Sequence, residues 1–455
     1  MTEHTRLDSL TLRNYRGFRE LTIDFHPELT VLVARNGMGK TAALDACALA
    51  WRYFVDTMRG AASSPGFARG DIRMSRTSAG QMVAQLPVAI VARGRVQGAT
   101  LAWSRELARR EGRTTLAAAH GLARAAEVLL EQLRAHGDGM RAQAPELPVI
   151  AYYGTGRLWS DGRQSKGRRL TAQRLDVQVD AYQDCLEPRS SYQAFATWFE
   201  RVCREGQRRA AGGGALDARP QAYIGAVRAA SVRLLRPTGW GGIAWDFMGN
   251  RIVATHDDAG ELPIEQLSDG VRNTLGLVAD LAHRCVRLNP HHGAEAPQRT
   301  TGVVLIDEVD MHLHPGWQQE VPAALREAFP RVQFIVTTHS PQVLSTVPKE
   351  CIRILEVDGD GGTCRTPAQQ TAGVSAPDVL AVVMGVDPAP DIPIRQELNR
   401  FRALVQDGRE AESEGEALRA RLVAHFGQTH PEIVDLDRLL RFRRVLAQRS
   451  ERGRE

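Results

Sequence analysis

One stretch constrains the fold more than any other: LTVLVARNGMGKTAALDACALAW, residues 29–51. Its first six residues are almost all apolar and predict a buried β-strand, and the mostly apolar run after Gly39 predicts a buried helix. A glycine-rich loop between a strand and a helix presents backbone N–H groups and the positive end of the helix dipole to an anion. The stretch therefore predicts an α/β fold with a phosphate-binding loop.

The loop contains one of only three lysines among the 58 Lys and Arg residues of the chain. Lysine carries a compact ammonium on a flexible stem, whereas arginine carries a wide planar group, so a tight loop around an anion accepts lysine. Residues 34–41 fit the pattern GxxxxGK[ST], except that Ala34 stands where the first glycine usually does. Lys40 is expected to reach the β- and γ-phosphates of ATP, and Thr41 to offer its hydroxyl to Mg²⁺. The predicted nucleotide contacts are Asn36, Gly37, Met38, Gly39, Lys40, Thr41 and Ala42.

Paired acids end a second predicted strand, VVLIDEVD, residues 303–310. In α/β folds the carboxyl end of a buried strand is where ligands bind. We expect Asp307 to hold Mg²⁺ through water, and Glu308 to orient and deprotonate the water that attacks the γ-phosphate. Two solvated acids at the end of a strand are the structural alternative.

Two further motifs complete the set. LSDG, residues 267–270, precedes a predicted helix, so Ser268 and Gly270 could form a second anion site or, alternatively, a plain helix cap. FIVTTHSP, residues 334–341, predicts a buried strand that ends near His339, which could contact the γ-phosphate or hold the attacking water, or be structural. The order and spacing of all four motifs together predict an ATPase with ATP and Mg²⁺ as cofactors.

This order resembles the ABC-type ATPase heads of the SMC, Rad50 and RecF class, over about residues 1–60 and 240–356. In that class two heads enclose two nucleotides, and each LSxG motif contacts the nucleotide bound to the other head. The resemblance implies that Ser268 acts in trans and that the active unit is at least a dimer. TLRNYRGF, residues 11–18, resembles the opening strand and turn of the class. Tyr15 and Arg16 there are candidate nucleotide neighbours, with packing an equal alternative.

Other segments resemble bacterial defence ATPases. VDMHLHP, residues 309–315, is similar to the stretch after the acids in overcoming-lysogenization ATPases, with Asp310 in place of the usual Glu. Residues 147–159, 181–200 and 430–446 resemble the PtuA family of Septu anti-phage systems and retrons. That resemblance implies a sensor or scaffold ATPase that controls a separate HNH nuclease similar to PtuB, with DNA or retron RNA/DNA as a further partner. Arg157 in YYGTGR is a candidate nucleotide-sensing residue, with packing as the alternative.

Two competing functions remain open. The first is a RecF-like DNA-repair ATPase that binds DNA directly, which the net charge of +5 and the isoelectric point near 9.0 permit. Basic residues cluster at positions 163–174 and from Arg438 onward, where a solvated face is the alternative to a phosphate-binding or partner-binding surface. The second is the nucleotide-binding subunit of a transporter, which the opening strand and the motif spacing disfavour.

The fold class we predict is α/β: an ABC-type P-loop ATPase head with an antiparallel β-subdomain, a helical insertion and a C-terminal helical region. The head is expected to span residues 1–375, interrupted by a mainly helical insertion at about 107–240. Residues 376–455 are expected to form a helical domain of two segments separated by GQTHP, residues 427–431. An antiparallel hairpin is predicted at 86–106 and further strands at 243–264.

Features that the sequence lacks narrow the range of possible functions. No apolar run approaches the ~20 residues that span a bilayer, and the N-terminus has no signal-peptide core, so we expect a cytoplasmic protein without membrane contact. The six scattered cysteines and the pair His312 and His314, without a third ligand, do not predict a metal site. The DxD sequence from Asp358 to Asp360 predicts a hairpin turn rather than a nuclease site, so we expect no nuclease activity in this chain.

Overall fold

The computed structural model describes most of the chain. The described residues are 4–61, 63–110, 112–115, 117–137, 143–157, 178–188, 192–211, 219–358, 361–387 and 389–452. The chain divides into two compact units, residues 1–384 and 385–455. No helix in these ranges combines the length and the apolar character needed to cross a membrane.

The first unit contains the strands of the molecule. They are β1 (Arg6–Tyr15), β2 (Phe18–Asp24), β3 (Leu29–Val33), β4 (Met74–Arg76), β5 (Met82–Ala84), β6 (Val88–Val96), β7 (Ala99–Leu107), β8 (Val149–Tyr153), β9 (Trp240–Asp246), β10 (Arg251–His256), β11 (Gly260–Pro263), β12 (Gly302–Ile306), β13 (Val332–Thr337), β14 (Ile352–Asp358) and β15 (Gly361–Arg365). The hairpin predicted at 86–106 is confirmed as β6 and β7, which pair antiparallel.

The α-helices occur in both units. They are α1 (Lys40–Met58), α2 (His120–Gly137), α3 (Tyr192–Ala211), α4 (Arg219–Leu235), α5 (Asp269–Leu288), α6 (Ala296–Arg299), α7 (Pro315–Gln318), α8 (Val321–Ala328), α9 (Pro341–Leu344), α10 (Ala376–Met384), α11 (Pro393–Asp407), α12 (Ser413–Phe426) and α13 (Pro431–Arg452). The sequence predicted two helical segments after residue 376, whereas the structure has four helices there. Gly408, with φ +74°, ends α11 in a left-handed conformation that glycine adopts without strain.

A six-stranded sheet in the order β15-β14-β3-β13-β12-β8 forms the centre of the first unit. All neighbours in it are parallel except β15, which pairs antiparallel with β14. The strands β3, β12 and β13 are buried along their whole length and are mostly apolar, as expected for parallel strands covered on both faces. Because β3, β13 and β12 are neighbours, the segments that follow them meet at one edge of the sheet.

Helix α1 lies between this sheet and a four-stranded antiparallel sheet of order β2-β1-β6-β7. It packs against β12 and β13 on one side and β6 and β7 on the other, which explains why its sequence is apolar almost all round. Trp51 of α1 is fully buried, and its ring lies 5.2 Å from that of Trp103 on β7. This packing fixes the direction in which the amino end of α1 points.

The second unit has a hydrophobic core of its own. Its buried residues come from three helices and are Leu398, Phe401, Leu404, Val405, Leu418, Leu422, Ile433, Leu436 and Leu440. The core of the first unit is formed by a different cluster of buried residues. Each unit therefore buries apolar surface independently.

Candidate nucleotide site

The predicted phosphate loop joins the carboxyl end of β3 to the amino end of α1. Gly37 and Gly39 have φ angles of +76° and +88°, the left-handed region that glycine adopts most readily. A side chain at Gly39 would also collide with the ring of Phe18. Ala34 is not among the residues with positive φ, so alanine at this position strains no backbone.

The amino end of α1 offers unpaired backbone donors. The first backbone bond of the helix runs from the N–H of Ala43 to the carbonyl of Gly39, at 2.9 Å. The N–H groups of Lys40, Thr41 and Ala42 precede that bond and have no acceptor within the helix. Residues 35–37 of the loop are exposed. The loop can therefore present consecutive N–H groups to a bound phosphate.

Lys40 is the cation of the loop, and its side chain is largely buried. Its Nζ donates to the carbonyl of Ala34 at 2.9 Å. Burial lowers the pKa of Lys40, and the charges of Asp307, Glu308 and Asp310 oppose that shift. The lysine therefore lies within electrostatic range of the predicted acids.

Asp307 and Glu308 follow β12 directly, at the same sheet edge as the loop. Asp307 is 2% exposed, and its two carboxylate oxygens accept from Thr337 Oγ1 at 2.6 Å and from Thr41 Oγ1 at 2.9 Å. The backbone N–H of Glu308 donates to the same Thr337 hydroxyl at 2.8 Å. Glu308 has a φ of +48°, so the chain turns sharply at this acid. One threonine thus positions both acids, and Thr41 and Asp307 form a pair of hard oxygen ligands.

Sequence reasoning missed Thr337, although a signal was present. The register of β12 and β13 pairs Ile306 with Val336. Thr337 therefore lies next to Asp307 once the two strands are recognised as parallel neighbours. A hydroxyl residue at the carboxyl end of a buried strand, beside a strand that is followed by an acid, is the pattern that would have identified it.

His339 lies two residues beyond β13 and is partly exposed. Burial lowers its pKa, the positive charge of Lys40 lowers it further, and the acids Glu308, Asp310 and Asp307 oppose the shift. The imidazole is therefore neutral at neutral pH and can accept a proton or a hydrogen bond. The structure brings His339 into the electrostatic neighbourhood of Lys40 and the acids, as the motif order predicted.

LSDG lies against the segment that follows the acids. Ser268 is the N-cap residue of α5, yet its exposed side chain makes no capping hydrogen bond. A side chain at Gly270 would collide with the carbonyl oxygen of His312. The backbones of LSDG and of residues 309–315 are therefore in close contact, and the Ser268 hydroxyl remains directed to solvent.

Arg16 bonds to acidic residues of its own chain. Its guanidinium bonds to Asp45 on α1 at 2.5 Å and to Asp71 at 3.1 Å. The Tyr152 hydroxyl also donates to Asp45, at 2.8 Å. Tyr15 is fully buried, which favours packing as its role. Arg16 joins the turn after β1 to α1. The first three residues of that helix, Lys40, Thr41 and Ala42, are predicted nucleotide contacts.

Two expectations lie outside the described residues. The basic cluster at positions 163–174 is one of them. The other is the side chain of Arg157, whose backbone forms a short helical turn with Thr155 and Gly156. The strands on either side of Gly359 and Asp360 pair antiparallel up to Asp358 and Gly361, so the predicted hairpin is present, although its two turn residues are not described.

Comparisons with known proteins match parts of the chain. A family described as "AAA domain, putative AbiEii toxin, Type IV TA system" matches residues 236–345, and a family described as "AAA domain" matches residues 9–194. The Retron Ec83 probable ATPase of Escherichia coli is 35% identical over 175 residues, which cover 38% of this chain and 31% of that protein. The Septu protein PtuA of Bacillus mycoides is 44% identical over 78 residues, 17% of this chain and 10% of that protein.

The chain is similar, over parts of its length, to AAA domains, to a retron probable ATPase and to a Septu protein. Its match spans about a third of the retron relative and about a tenth of the Septu relative. Among solved structures, the chain is similar to an SMC head bound to the C-winged helix domain of ScpA. That likeness has 13% identity and a TM-score of 0.47, and it covers 79% of this chain and 97% of the SMC head.

Proposed function

We propose that this chain is an ABC-type ATPase that binds and hydrolyses ATP at the edge where β3, β12 and β13 end. The observation that carries the proposal is the hydrogen bond between Thr41 of the phosphate loop and Asp307, at 2.9 Å. This bond joins the predicted phosphate loop to the first of the predicted acids. It holds the two oxygen atoms close enough for both to contact one metal ion. Lys40 and the amides at the start of α1 would hold the β- and γ-phosphates.

The ligands at this edge fit Mg²⁺. A threonine hydroxyl and a carboxylate are hard oxygen ligands, which Mg²⁺ prefers together with water and phosphate oxygens. Bound there, the ion would supply charge stabilisation to the phosphoryl group that is transferred. Thr41 and Asp307 are the residues that would hold it.

Glu308 and His339 would act on the attacking water. Glu308 is placed by the Thr337 hydroxyl and turned out of the strand by its positive φ. It would accept the proton of the water, a role worth about 10²- to 10⁴-fold in rate. His339, neutral for the reasons given above, would orient that water or contact the γ-phosphate.

The first experiment compares wild type, Glu308→Gln and Glu327→Gln for ATP binding and phosphate release. Glu327 is an exposed acid on α8 and serves as the matched control. We expect Glu308→Gln to bind ATP with unchanged affinity and to release phosphate at least about 100-fold more slowly, and the control to match wild type. Equal phosphate release from wild type and Glu308→Gln would reject Glu308 as the base.

We further propose that ATP brings two copies of the chain together. The exposed Ser268 hydroxyl, free of any capping bond, supports a contact with the nucleotide of a second copy. Light scattering of Glu308→Gln with and without ATP tests this step. We expect a dimer or larger assembly with ATP, and substitution of Ser268 by Arg should keep the chain monomeric while its own phosphate loop still binds ATP.

The role of the ATPase is proposed to be control of a separate HNH nuclease in an anti-phage defence complex. The similarity to the Retron Ec83 probable ATPase and to the Septu protein PtuA supports it. The test is a pull-down of tagged chain from its host, wild type beside Glu308→Gln, with bound proteins and nucleic acids identified by mass. A stoichiometric nuclease supports the proposal. Recovery of DNA without a protein partner would instead favour the RecF-like DNA-repair ATPase.

A further inference from the structure

A cluster of two histidines and one glutamate lies away from the nucleotide site. Glu146 precedes β8, and His291 and His292 lie in the short helical segment after α5. His291 Nε2 is 3.1 Å from Glu146 Oε1, and His292 Nε2 is 2.7 Å from Oε1 and 2.9 Å from Oε2. The ligand atoms of these three side chains all lie within 4.8 Å of one another, and among the described residues no other group of three His, Cys, Asp or Glu residues meets this distance.

The backbones that carry these side chains are held together by buried hydrogen bonds. The side chain of Asn289 is fully buried, accepts from the N–H of Leu147 at 2.8 Å and donates to the carbonyl of Leu147 at 2.9 Å. Leu147 is adjacent to Glu146, and Asn289 lies two residues before His291. The three side chains therefore converge from a rigid frame and not from two independent loops, which is the preorganisation a ligand site needs.

The chemistry of the three side chains also suits a cation. Glu146 offers carboxylate oxygens, and His291 and His292 offer ring nitrogens. Arg299, the nearby cation, is paired with Glu295 at 3.3 Å. The cluster therefore offers a carboxylate and two imidazoles, which are zinc ligands.

We propose that Glu146, His291 and His292 bind a divalent transition-metal ion, with Zn²⁺ as the first choice. Ligands at about 2.0–2.1 Å around a tetrahedral ion lie roughly 3.4 Å from one another, close to the 2.7–3.1 Å seen between the Nε2 atoms and the carboxylate. Each histidine would bind through Nε2 and carry its proton on Nδ1. Three protein ligands leave the fourth position for water.

The position of the cluster separates it from the predicted Mg²⁺ site. β8 and β12 pair in parallel from Val149 and Gly302, so the cluster precedes the amino ends of both strands. The phosphate loop and the acids follow the carboxyl ends of β3 and β12. A bound ion would cross-link the approach to β8 with the connection between α5 and β12, and so stabilise an edge of the central sheet.

The test titrates metal-free full-length chain with Zn²⁺ by calorimetry, without nucleotide. We expect one Zn²⁺ per chain and a rise in the temperature of unfolding. Affinity should fall about tenfold or more in His291→Gln and in Glu146→Gln. Two control variants change potential ligands elsewhere: His314→Gln alters the pair His312 and His314, and Cys364→Ser alters the least buried cysteine. Both should bind Zn²⁺ with the affinity of wild type. Equal affinity in wild type and His291→Gln would overturn the proposal.

A second measurement does not depend on the stability of the variants. Co²⁺ replaces Zn²⁺ in such sites and absorbs strongly in the visible range when it has four ligands. We expect wild type to develop this absorption with Co²⁺ and to lose it when Zn²⁺ is added. A spectrum that stays as weak as that of Co²⁺ in water would contradict the site, whatever the variants do.

Discussion

At the scale of single residues, Lys40 shows how an unusual choice of side chain indicates a site. The chain uses arginine almost everywhere, and Lys40 lies where a tight glycine loop leaves room for a narrow cation. Its Nζ bonds to the carbonyl of Ala34 within the loop. The residue type could be interpreted from the sequence alone, whereas the electrostatic link to Asp307, Glu308 and Asp310 required the fold, because those acids are about 270 residues away in the sequence.

Substitution of this lysine tests the phosphate loop directly. Lys40→Ala removes the cation predicted to contact the β- and γ-phosphates, so we expect the affinity for ATP to fall about 100-fold or more in calorimetry, since charge-assisted bonds of this kind contribute about 1.5–3 kcal/mol each. Lys349→Ala is the matched control, because Lys349 bonds to the carbonyl of Ala368 outside the site. Unchanged affinity in Lys40→Ala would rule out the loop as the nucleotide site.

A second residue-scale prediction concerns pH. His283 on α5 is buried against the ring of Trp198, with 4.2 Å between the ring centroids. Among the described residues its ring nitrogens have no hydrogen-bond partner, since Asp280 Oδ1 is 3.9 Å away. Burial lowers the pKa of His283 to about 4, against about 6.5 in the unfolded chain. The neighbouring charges of Asp280, Arg284 and Arg287 also act on it.

Because the unfolded chain binds a proton that the folded chain excludes, stability should fall as pH falls from about 6.5 to about 4, by up to about 1.4 kcal/mol per pH unit from this group. His283→Leu should flatten that slope. Urea unfolding at several pH values gives the free energy of unfolding of wild type and of His283→Leu as a function of pH. Subtracting one curve from the other removes the contribution of the other histidines. Parallel curves would contradict the assignment.

At the scale of elements, the contact between LSDG and residues 309–315 is the feature to test. Gly270→Ala places a methyl group against the carbonyl of His312, which is backbone and cannot rotate away. We expect a loss of about 1–3 kcal/mol in stability and a lower rate of ATP hydrolysis, because the segment after the acids must shift. Urea unfolding and phosphate release measure the two effects.

The control for this prediction is Gly225→Ala in α4. A methyl group at Gly225 meets no atom of the described residues within 4 Å. Alanine favours a helix over glycine by about 0.5–1 kcal/mol, so this variant should be slightly more stable than wild type and hydrolyse ATP at the same rate. If the two variants behaved alike, steric contact at Gly270 would not be the cause.

Elements with strong local signals could be predicted from the sequence. Apolar runs predicted β3, β8, β12 and β13, because a strand covered on both faces needs apolar side chains on both. Alternating apolar and polar residues predicted β1 and β2, because a strand covered on one face needs them on that face alone. The number of helices after residue 376 was harder to predict. The residue types that favour helices continue through this region, and only Gly408 and the proline-rich stretch before α11 mark where helices end and begin. The Thr337 bonds and the cluster of Glu146, His291 and His292 depend on contacts between distant segments, which periodicity does not encode.

At the scale of the whole molecule, the chain has two separate hydrophobic cores. Phe401 is fully buried in the core of residues 385–455. Phe401→Ala should destabilise that unit by about 3–5 kcal/mol, through lost burial and the cavity left behind. In calorimetry with and without ATP, we expect the transition that ATP stabilises to stay unchanged in this variant. A downward shift of that transition as well would mean that the two units unfold as one.

Two cores also mean two stability margins. A protein tolerates substitutions only while its folding free energy exceeds the threshold needed for function, and most substitutions use part of that reserve. Because the buried residues of the two clusters are distinct, changes in α11, α12 or α13 draw on the reserve of the C-terminal unit and not on that of the head. Over evolutionary time, the C-terminal helices can therefore diversify without loss of stability in the first unit.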